Sequence, residues 1–459
     1  MLLDIQVTAH QPLALGVRPA GTAPVQTQHH IPGSVLRGAL AAAWIRDHGL
    51  PNKVPTPLRR EFIALFESDT VYGPLFATGS GIVPLSVRRC KYRRCAGVHP
   101  DDAFDDHSSP YCSSCRGPLT AGRGGVEFFG GAGGDLVVQR THLEIDDKEQ
   151  VASEGDLFTR RALTHRDQNG DERQFHGRIT PADDLPEAAA HWLSQRRSLR
   201  LGGRRGTSGG VTYSTATASP RLPQTGRRVA LRLVAPAILT DTSGLPLDLA
   251  DRDRLREALD AKLSCVLETR IAKVARVWAR RERVGGWHAA SNLPKPVELA
   301  VSAGSVLLLT FEEPPAPDAL LVLEGRGIGL RRNEGFGALE TATSPWIPPG
   351  WTPPDGRVAE EASTGEAVMD PADSYALMLY RSGHSAWFID QLRPYVEQRA
   401  AGNPPHDALL ERSRLRNLPG ELRRDIQDLL LRTTPDTLDR TLARLAALHR
   451  LTVDEEQSS

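Results

Sequence analysis

The chain opens on an alternation. In MLLDIQVTAHQPLAL apolar and polar residues exchange places at nearly every step, the period of a half-buried strand, and a first strand is predicted there. A stretch rich in Gly, Thr, Gln and Pro follows, and then the period lengthens. In HHIPGSVLRGALAAAWIRDHG, residues 29–49, Pro32 and Gly33 make a turn, Ser34 is placed as the N-cap, and Val35 to Arg46 reads as a helix. Further along, the pattern predicts a helix around 57–67, a turn near Gly73, a glycine-rich stretch at 122–134 and a strand at 135–147. EGDLFTRRAL, residues 154–163, reads as the start of a strand or a helix, and AAAHWLSQRRSL, residues 188–199, reads as a helix.

A proline-containing break at 218–228 separates two halves. The second half begins again with a strand, RVALRLVAPAIL at 228–239, continues with a helix at about 249–265, and returns to strand-like runs up to residue 312. A proline-rich linker at 343–356 ends it, and residues 366–452 carry apolar positions mostly at helical spacing. Strand, helix, further strands and a glycine loop therefore occur twice. The order predicts an α+β protein with two ferredoxin-like (RRM-like) domains, at 1–220 and 226–345, and a helical region at 357–459.

The glycine loops carry the first chemistry. LVLEGRGIGLRRNEGFGAL, residues 321–339, sets Gly327, Gly329, Gly335 and Gly337 in a G-x-G-x5-G-x-G pattern around Arg331 and Arg332. LRLGGRRGTSGGVTYS, residues 199–214, places Arg204 and Arg205 beside Gly206, Ser208 and Gly209. Glycine allows positive φ and close backbone approach to a phosphate, and arginine adds fixed positive charge. Neither loop is a Walker A loop, because no Gly-Lys-Ser/Thr follows, and the spacing is not that of a dinucleotide fingerprint.

Charge sharpens this picture. The 459 residues hold 56 Lys and Arg against 56 Asp and Glu, which excludes a purely non-specific nucleic-acid coat. The charge is nevertheless grouped, with basic runs at 88–94, 196–205 and 276–283 and acidic runs at 99–106 and 144–150. Such a chain fits a subunit that holds RNA on one face and protein on another. No segment is long and apolar enough to span a membrane, no signal-peptide pattern opens the chain, and the few cysteines point to a reducing cytoplasm.

Four of the five cysteines are grouped. Cys90 and Cys95 have four residues between them, Cys112 and Cys115 form a C-x-x-C, and sixteen residues separate the pairs. This is the two-knuckle arrangement of a small zinc ribbon, inserted at about 84–125, in which four thiolates close a structural Zn2+ site; His99 or His107 could replace one sulfur. Cys265 stands apart in a predicted helix and reads as a core residue.

HHIPGSVLRGALAAAWI resembles the I-P-G-S-x-L-R-G helix start of the RAMP superfamily, the RNA-binding subunits of CRISPR effector complexes. VGGWHAASNLPKPVELAVSAGSVLLL followed by GIGLRRNEGFGAL resembles that superfamily's glycine-rich signature. With the zinc insertion and the length, the chain looks most like the Csx-ten subunits of type III-D effectors, a Cas-five-type branch that caps the 5′ handle of the guide RNA. The resemblance implies guide contacts at Ser34, Arg37 and both glycine loops, with Tyr213, Trp287 or Phe336 offering rings to unpaired bases. It implies as partners guide RNA, the backbone, large and small helical subunits of a type III effector, and target RNA indirectly.

Slicing members of the superfamily carry an aspartate just before this helix. Residues 11–30 contain no Asp or Glu, so a non-catalytic subunit is expected. The runner-up is an endoribonuclease, using Asp146 and Asp147 as metal ligands or His29 and His30 as a metal-free acid–base pair. A third reading is an assembly subunit that contacts mainly other proteins.

Overall fold

The computed structural model describes residues 2–17, 26–91, 100–105, 118–122, 124–129, 136–145, 152–203, 206–217, 222–288, 293–348, 371–382, 384–406 and 420–457. It divides into two compact units. One comprises residues 1–86 and 123–352, the other residues 87–122 and 353–459.

Two larger antiparallel sheets build the first unit, with smaller two-stranded pairings beside them. Sheet I uses β1 (Leu3–Ala9), β2 (Val71–Tyr72), β3 (Gln174–Thr180), β4 (Arg197–Arg200) and β5 (Gly210–Thr217), in the spatial order β4-β5-β1-β3-β2. The alternation read at the N-terminus is β1: Leu3, Ile5, Val7 and Ala9 are buried while Asp4 faces solvent. Against this sheet lie α1 (Gly33–His48), α2 (Thr56–Phe66) and α3 (Glu187–Ser194). In α1 the buried residues Leu36, Ala39, Leu40, Ala43 and Trp44 form one apolar stripe at helical spacing. The rings of Trp44 and Phe62, 5.2 Å apart, join α1 to α2.

Sheet II uses β6 (Arg228–Leu233), β7 (Ile271–Trp278), β8 (Val306–Phe311) and β9 (Leu339–Ala342), in the order β7-β8-β6-β9. Its helices are α4 (Arg252–Leu267) and α5 (Pro317–Arg326). Asp251 caps α4 by accepting from the Arg254 amide at 3.0 Å, and Leu255, Leu259, Leu263 and Leu267, one turn apart, bury its inner face. β8 is buried continuously from Val306 to Leu309, as expected of a strand covered on both faces. Connectivity is β-α-β-β-α-β, and the spatial order is fourth, first, third, second. In sheet I, β1, α1, β2, β3, α3 and β5 follow the same connectivity and the same spatial order.

Three local expectations change. Pro32, not Ser34, occupies the N-cap of α1, without a side-chain cap, and Ser34 is an exposed first-turn residue. The helix expected over 188–199 ends at Ser194. Gln195 is extended, and Arg197–Arg200 pairs with β5 so that Leu199 enters the core, a tertiary pairing that overrides helix-compatible composition. Cys265 is exposed, because Leu263 and Leu267 take the core face of α4.

In the second unit, Arg89–Cys90 pairs antiparallel with Leu119–Thr120. Four helices, α6 (Pro371–Arg381), α7 (Ser385–Ala400), α8 (Gly420–Arg432) and α9 (Pro435–Gln457), share one core around Leu379, Phe388, Leu392, Ile426 and Leu429. The Tyr395 hydroxyl, buried in that core, donates to the Leu430 carbonyl at 2.7 Å. Cys95, Cys112 and Cys115 lie outside the described residues, as do Asp146, Asp147, Arg204 and Arg205.

Candidate nucleic-acid interface

The second glycine loop closes on itself. Gly327 ends α5 with φ of 67°, and Gly329, Gly335 and Gly337 all have positive φ. The reason is crowding as much as conformation. A Cβ on Gly337 would fall 1.7 Å from the Ile328 carbonyl oxygen, and one on Gly329 would fall 2.4 Å from that of Ile238. The loop's amides are largely spent on carbonyls: Ile328 donates to Gly337 at 2.9 Å, Leu330 to Ile238 at 3.0 Å, and Gly337 to Pro236 at 2.7 Å. These glycines therefore serve close backbone packing within the described residues.

Arg331 is held just as firmly. It adopts a left-handed conformation, with φ of 56°. Its Nε and Nη2 donate to the two carboxylate oxygens of Glu334 at 3.1 and 2.8 Å, and its Nη1 donates to Glu298 at 2.6 Å. Nη2 also reaches the Gly285 carbonyl at 2.9 Å, and the guanidinium lies 4.7 Å from the Phe336 ring centroid. Lys295 Nζ completes the knot, 2.7 Å from Glu334. Burial pushes the Glu334 carboxyl up, but the hydrogen bonds and charges of Arg331 and Lys295 outweigh it and hold the group below the usual carboxylate range. Arg331 is a structural ion-pair residue here, whereas its neighbour Arg332 is exposed.

The first glycine loop is the turn between β4 and β5. Gly209, with φ of 88°, is buried against the Leu201 carbonyl, while Gly206 is exposed with open space around its Cα. Arg200 Nη1 donates to Gln11 Oε1 at 2.7 Å, and that oxygen also accepts from the Gly210 amide at 3.2 Å. Near this turn the His10 ring bridges Glu172 and Thr212, each at 2.7 Å. Burial and then the charges of Arg166 and Arg140 lower the pKa of His165, against the opposing charge of Glu172. Arg140 belongs to a long hairpin, Val137–Ile145 with Ala152–Leu163, whose register sets Arg140 opposite Arg160 and Gln139 opposite Arg161. Like charges at directly opposed positions destabilise a hairpin.

The remaining predicted residues divide by exposure. Arg37 is committed internally: its Nε donates to the Phe66 carbonyl at 2.6 Å and its Nη2 to Glu67 at 3.1 Å, tying α1 to the end of α2. Tyr213 is fully buried with its hydroxyl donating to Leu193 at 2.9 Å, so it offers no face to a base. Phe336 is half-buried beneath Arg331, and Trp287 is 50% exposed. His30 stacks near Phe76 at 5.4 Å, and burial together with the adjacent His29 lowers its pKa to about 4. At neutral pH it is therefore an uncharged imidazole, not an imidazolium acid. The arginine hairpin was missed in the sequence, although the alternating QRTHLE run followed by FTRRAL was its signal.

Residues 138–341 match the family described as CRISPR-associated protein (Cas_Cmr3). No curated protein matches the chain. Among solved structures it is similar to a chain of the Type III-B Cmr-beta complex bound to cognate target RNA, with 12% identity, 66% of this chain and 86% of that chain covered, and a TM-score of 0.34. It is also similar to a CRISPR-associated protein Cas6, with 9% identity, 74% and 98% covered, and a TM-score of 0.30. The product of a Cas6-related gene from Pyrococcus furiosus shows 9% identity, 75% and 98% coverage, and a TM-score of 0.29. The family match covers less than half of the chain, from the arginine hairpin to β9. Among the described residues, no helix is long and apolar enough to cross a membrane.

Proposed function

We propose that this protein is a non-catalytic, guide-RNA-binding subunit of a type III CRISPR effector ribonucleoprotein, of the Csx-ten kind, which caps the backbone at the 5′ handle in the cytoplasm. The observation that carries the reading is the family match over residues 138–341, which begins on the arginine hairpin and ends on β9. The shared connectivity of the two sheets supports two ferredoxin-like domains, an arrangement suited to holding one RNA across paired sheets. Guide phosphates meet the hairpin arginines, the β4–β5 turn with Arg200, Arg204, Arg205, Gly206 and Ser208, and the exposed Ser34 in the first turn of α1. Trp287 stacks on an unpaired base.

Catalysis is left out of this reading because residues 11–30 lack a carboxylate and His30, with its lowered pKa, is poorly suited to act as the imidazolium acid of a metal-free pair. Cys90, Cys95, Cys112 and Cys115 hold a structural zinc that takes no part in RNA chemistry. The test is a guide-RNA pull-down with the full-length protein after mild nuclease digestion. A protected segment starting at the guide's 5′ end is expected; protection spread evenly along the guide, or specific cleavage, overturns the reading.

A further inference from the structure

Sheet II contains an apolar cleft that the RNA reading does not use. It lies between α4 and the second glycine loop and measures about 270 Å³. Leu239, Leu263 and Ile328, all buried, form its floor, and Leu330, 45% exposed, stands at its rim. Two cations border it. Lys262 Nζ donates to the Thr240 carbonyl at 2.5 Å, and Arg332 is exposed. Among the described residues neither pairs with a carboxylate. The cleft is thus an aliphatic socket beside two unneutralised positive charges.

Its chemistry decides the class of occupant. A nucleobase has polar edges that need partners, and an unpaired buried polar group costs about 1–3 kcal/mol. The backbone lining the cleft has little to offer it. The amides of Gly327, Ile328 and Leu330 already donate to the carbonyls of Leu323, Gly337 and Ile238. Among the described residues no aromatic ring lines the wall for stacking. The volume also falls below the roughly 300–1,000 Å³ usual for small-molecule pockets. An apolar protein side chain needs no polar partner, and carboxylates flanking it would neutralise both cations.

We propose that this cleft receives a single Leu, Met or Phe side chain from an acidic segment of a partner protein, with neighbouring carboxylates paired to Lys262 and Arg332. The site makes Arg332 a protein-recognition residue and gives the chain a second face, separate from the arginine hairpin. The proposal goes beyond the RNA reading and survives its failure, since each is probed with a different ligand.

A random peptide library selected on the full-length protein tests it. Enriched peptides should carry Leu, Met or Phe beside Asp or Glu. A selected peptide should lose about tenfold or more in affinity, equivalent to about 1.4 kcal/mol, on Leu330→Asp and on Arg332→Glu. Leu293→Asp, at an exposed position outside the cleft lining, should leave it unchanged. If Leu330→Asp does not fold by circular dichroism, Arg332→Glu decides alone. No enrichment, a consensus without acidic residues, or equal binding by Arg332→Glu overturns the proposal. So does the reverse pattern, in which oligouridine or oligoadenosine binding is lost on Arg332→Glu and peptide binding is not.

Discussion

Gly335 sits on Gly33. A Cβ added to Gly335 would lie 2.9 Å from the Gly33 Cα and 2.6 Å from the Tyr72 carbonyl oxygen, and one on Gly33 would lie 1.8 Å from that same oxygen. The loop that precedes the last strand of sheet II is therefore seated on the first turn of α1 and the edge of sheet I. Arg326, at the end of α5, strengthens this joint by donating to the Asp69 carbonyl at 3.0 Å and to Asp183 at 2.6 Å.

Gly335→Val should consequently act on stability first. A non-glycine residue in the left-handed region costs about 1–2 kcal/mol before any clash is counted, and here a second backbone blocks the side chain. A loss of at least about 2 kcal/mol is expected in urea unfolding. A variant as stable as the parent, with only its RNA affinity reduced, would show that the loop faces ligand instead.

The Arg331–Glu334 knot yields a second expectation. Glu334→Gln removes a carboxylate that accepts from both Arg331 and Lys295 and leaves a half-buried guanidinium underpaired. A loss of about 3 kcal/mol is expected. Because the folded-state pKa of Glu334 is depressed, its contribution is present above the unfolded carboxylate range and is lost as pH falls through the folded value. The parent and the variant should therefore converge in stability at acid pH. A gap that stays constant down to pH 3 would contradict the assignment.

RNA affinity should be governed elsewhere. Changing Arg204 and Arg205 to Ala should weaken guide binding and flatten its dependence on salt by about one to two units of log–log slope, each single-strand phosphate contributing about 0.7. Arg331→Ala should leave that slope unchanged in whatever fraction remains folded. The opposite ranking, read from salt titrations on monodisperse protein, would return the phosphate contact to the second loop.

His30 should titrate at about pH 4 by NMR, well below a free imidazole. Burial is the main cause and the neighbouring His29 adds to it. The depressed value means that stability associated with neutral His30 is complete above the unfolded pKa near 6.5 and is lost as pH falls towards 4. Isolated protein should leave guide precursor and complementary RNA intact. Cleavage abolished by His30→Ala would assign it to guide processing, and cleavage abolished by Asp147→Ala to target slicing.

Elemental analysis should find one zinc per chain. Cys112→Ser should remove it while both sheets stay folded, because among the described residues their cores contain none from the 87–122 segment. Metal-free protein with four titratable thiols would remove zinc from the account.

Much of this architecture was readable along the chain. The period-two run in β1 and the stripe from Leu36 to Trp44 marked their elements, because burial of one face imposes each repeat. The glycines of the second loop were visible too, but their cause was not. Gly327 and Gly337 crowd their own loop, but the neighbours of Gly329 and Gly335 are Ile238, Tyr72 and Gly33, contributed by distant segments, and local sequence carries no trace of a backbone that arrives from elsewhere. The same holds for Arg331, whose partner Glu298 lies on a separate strand. Arg197–Arg200 misled for a related reason: only β5 makes it a strand.

The seat of Gly335 on Gly33 also has a temporal consequence. About three hundred residues separate the two, so on the ribosome α1 and the Tyr72 edge emerge long before their cover. At about 5–20 residues per second, the N-terminal sheet waits for roughly 15–60 seconds with that surface bare. Nascent chains stalled before residue 335 should therefore be the species most in need of a chaperone.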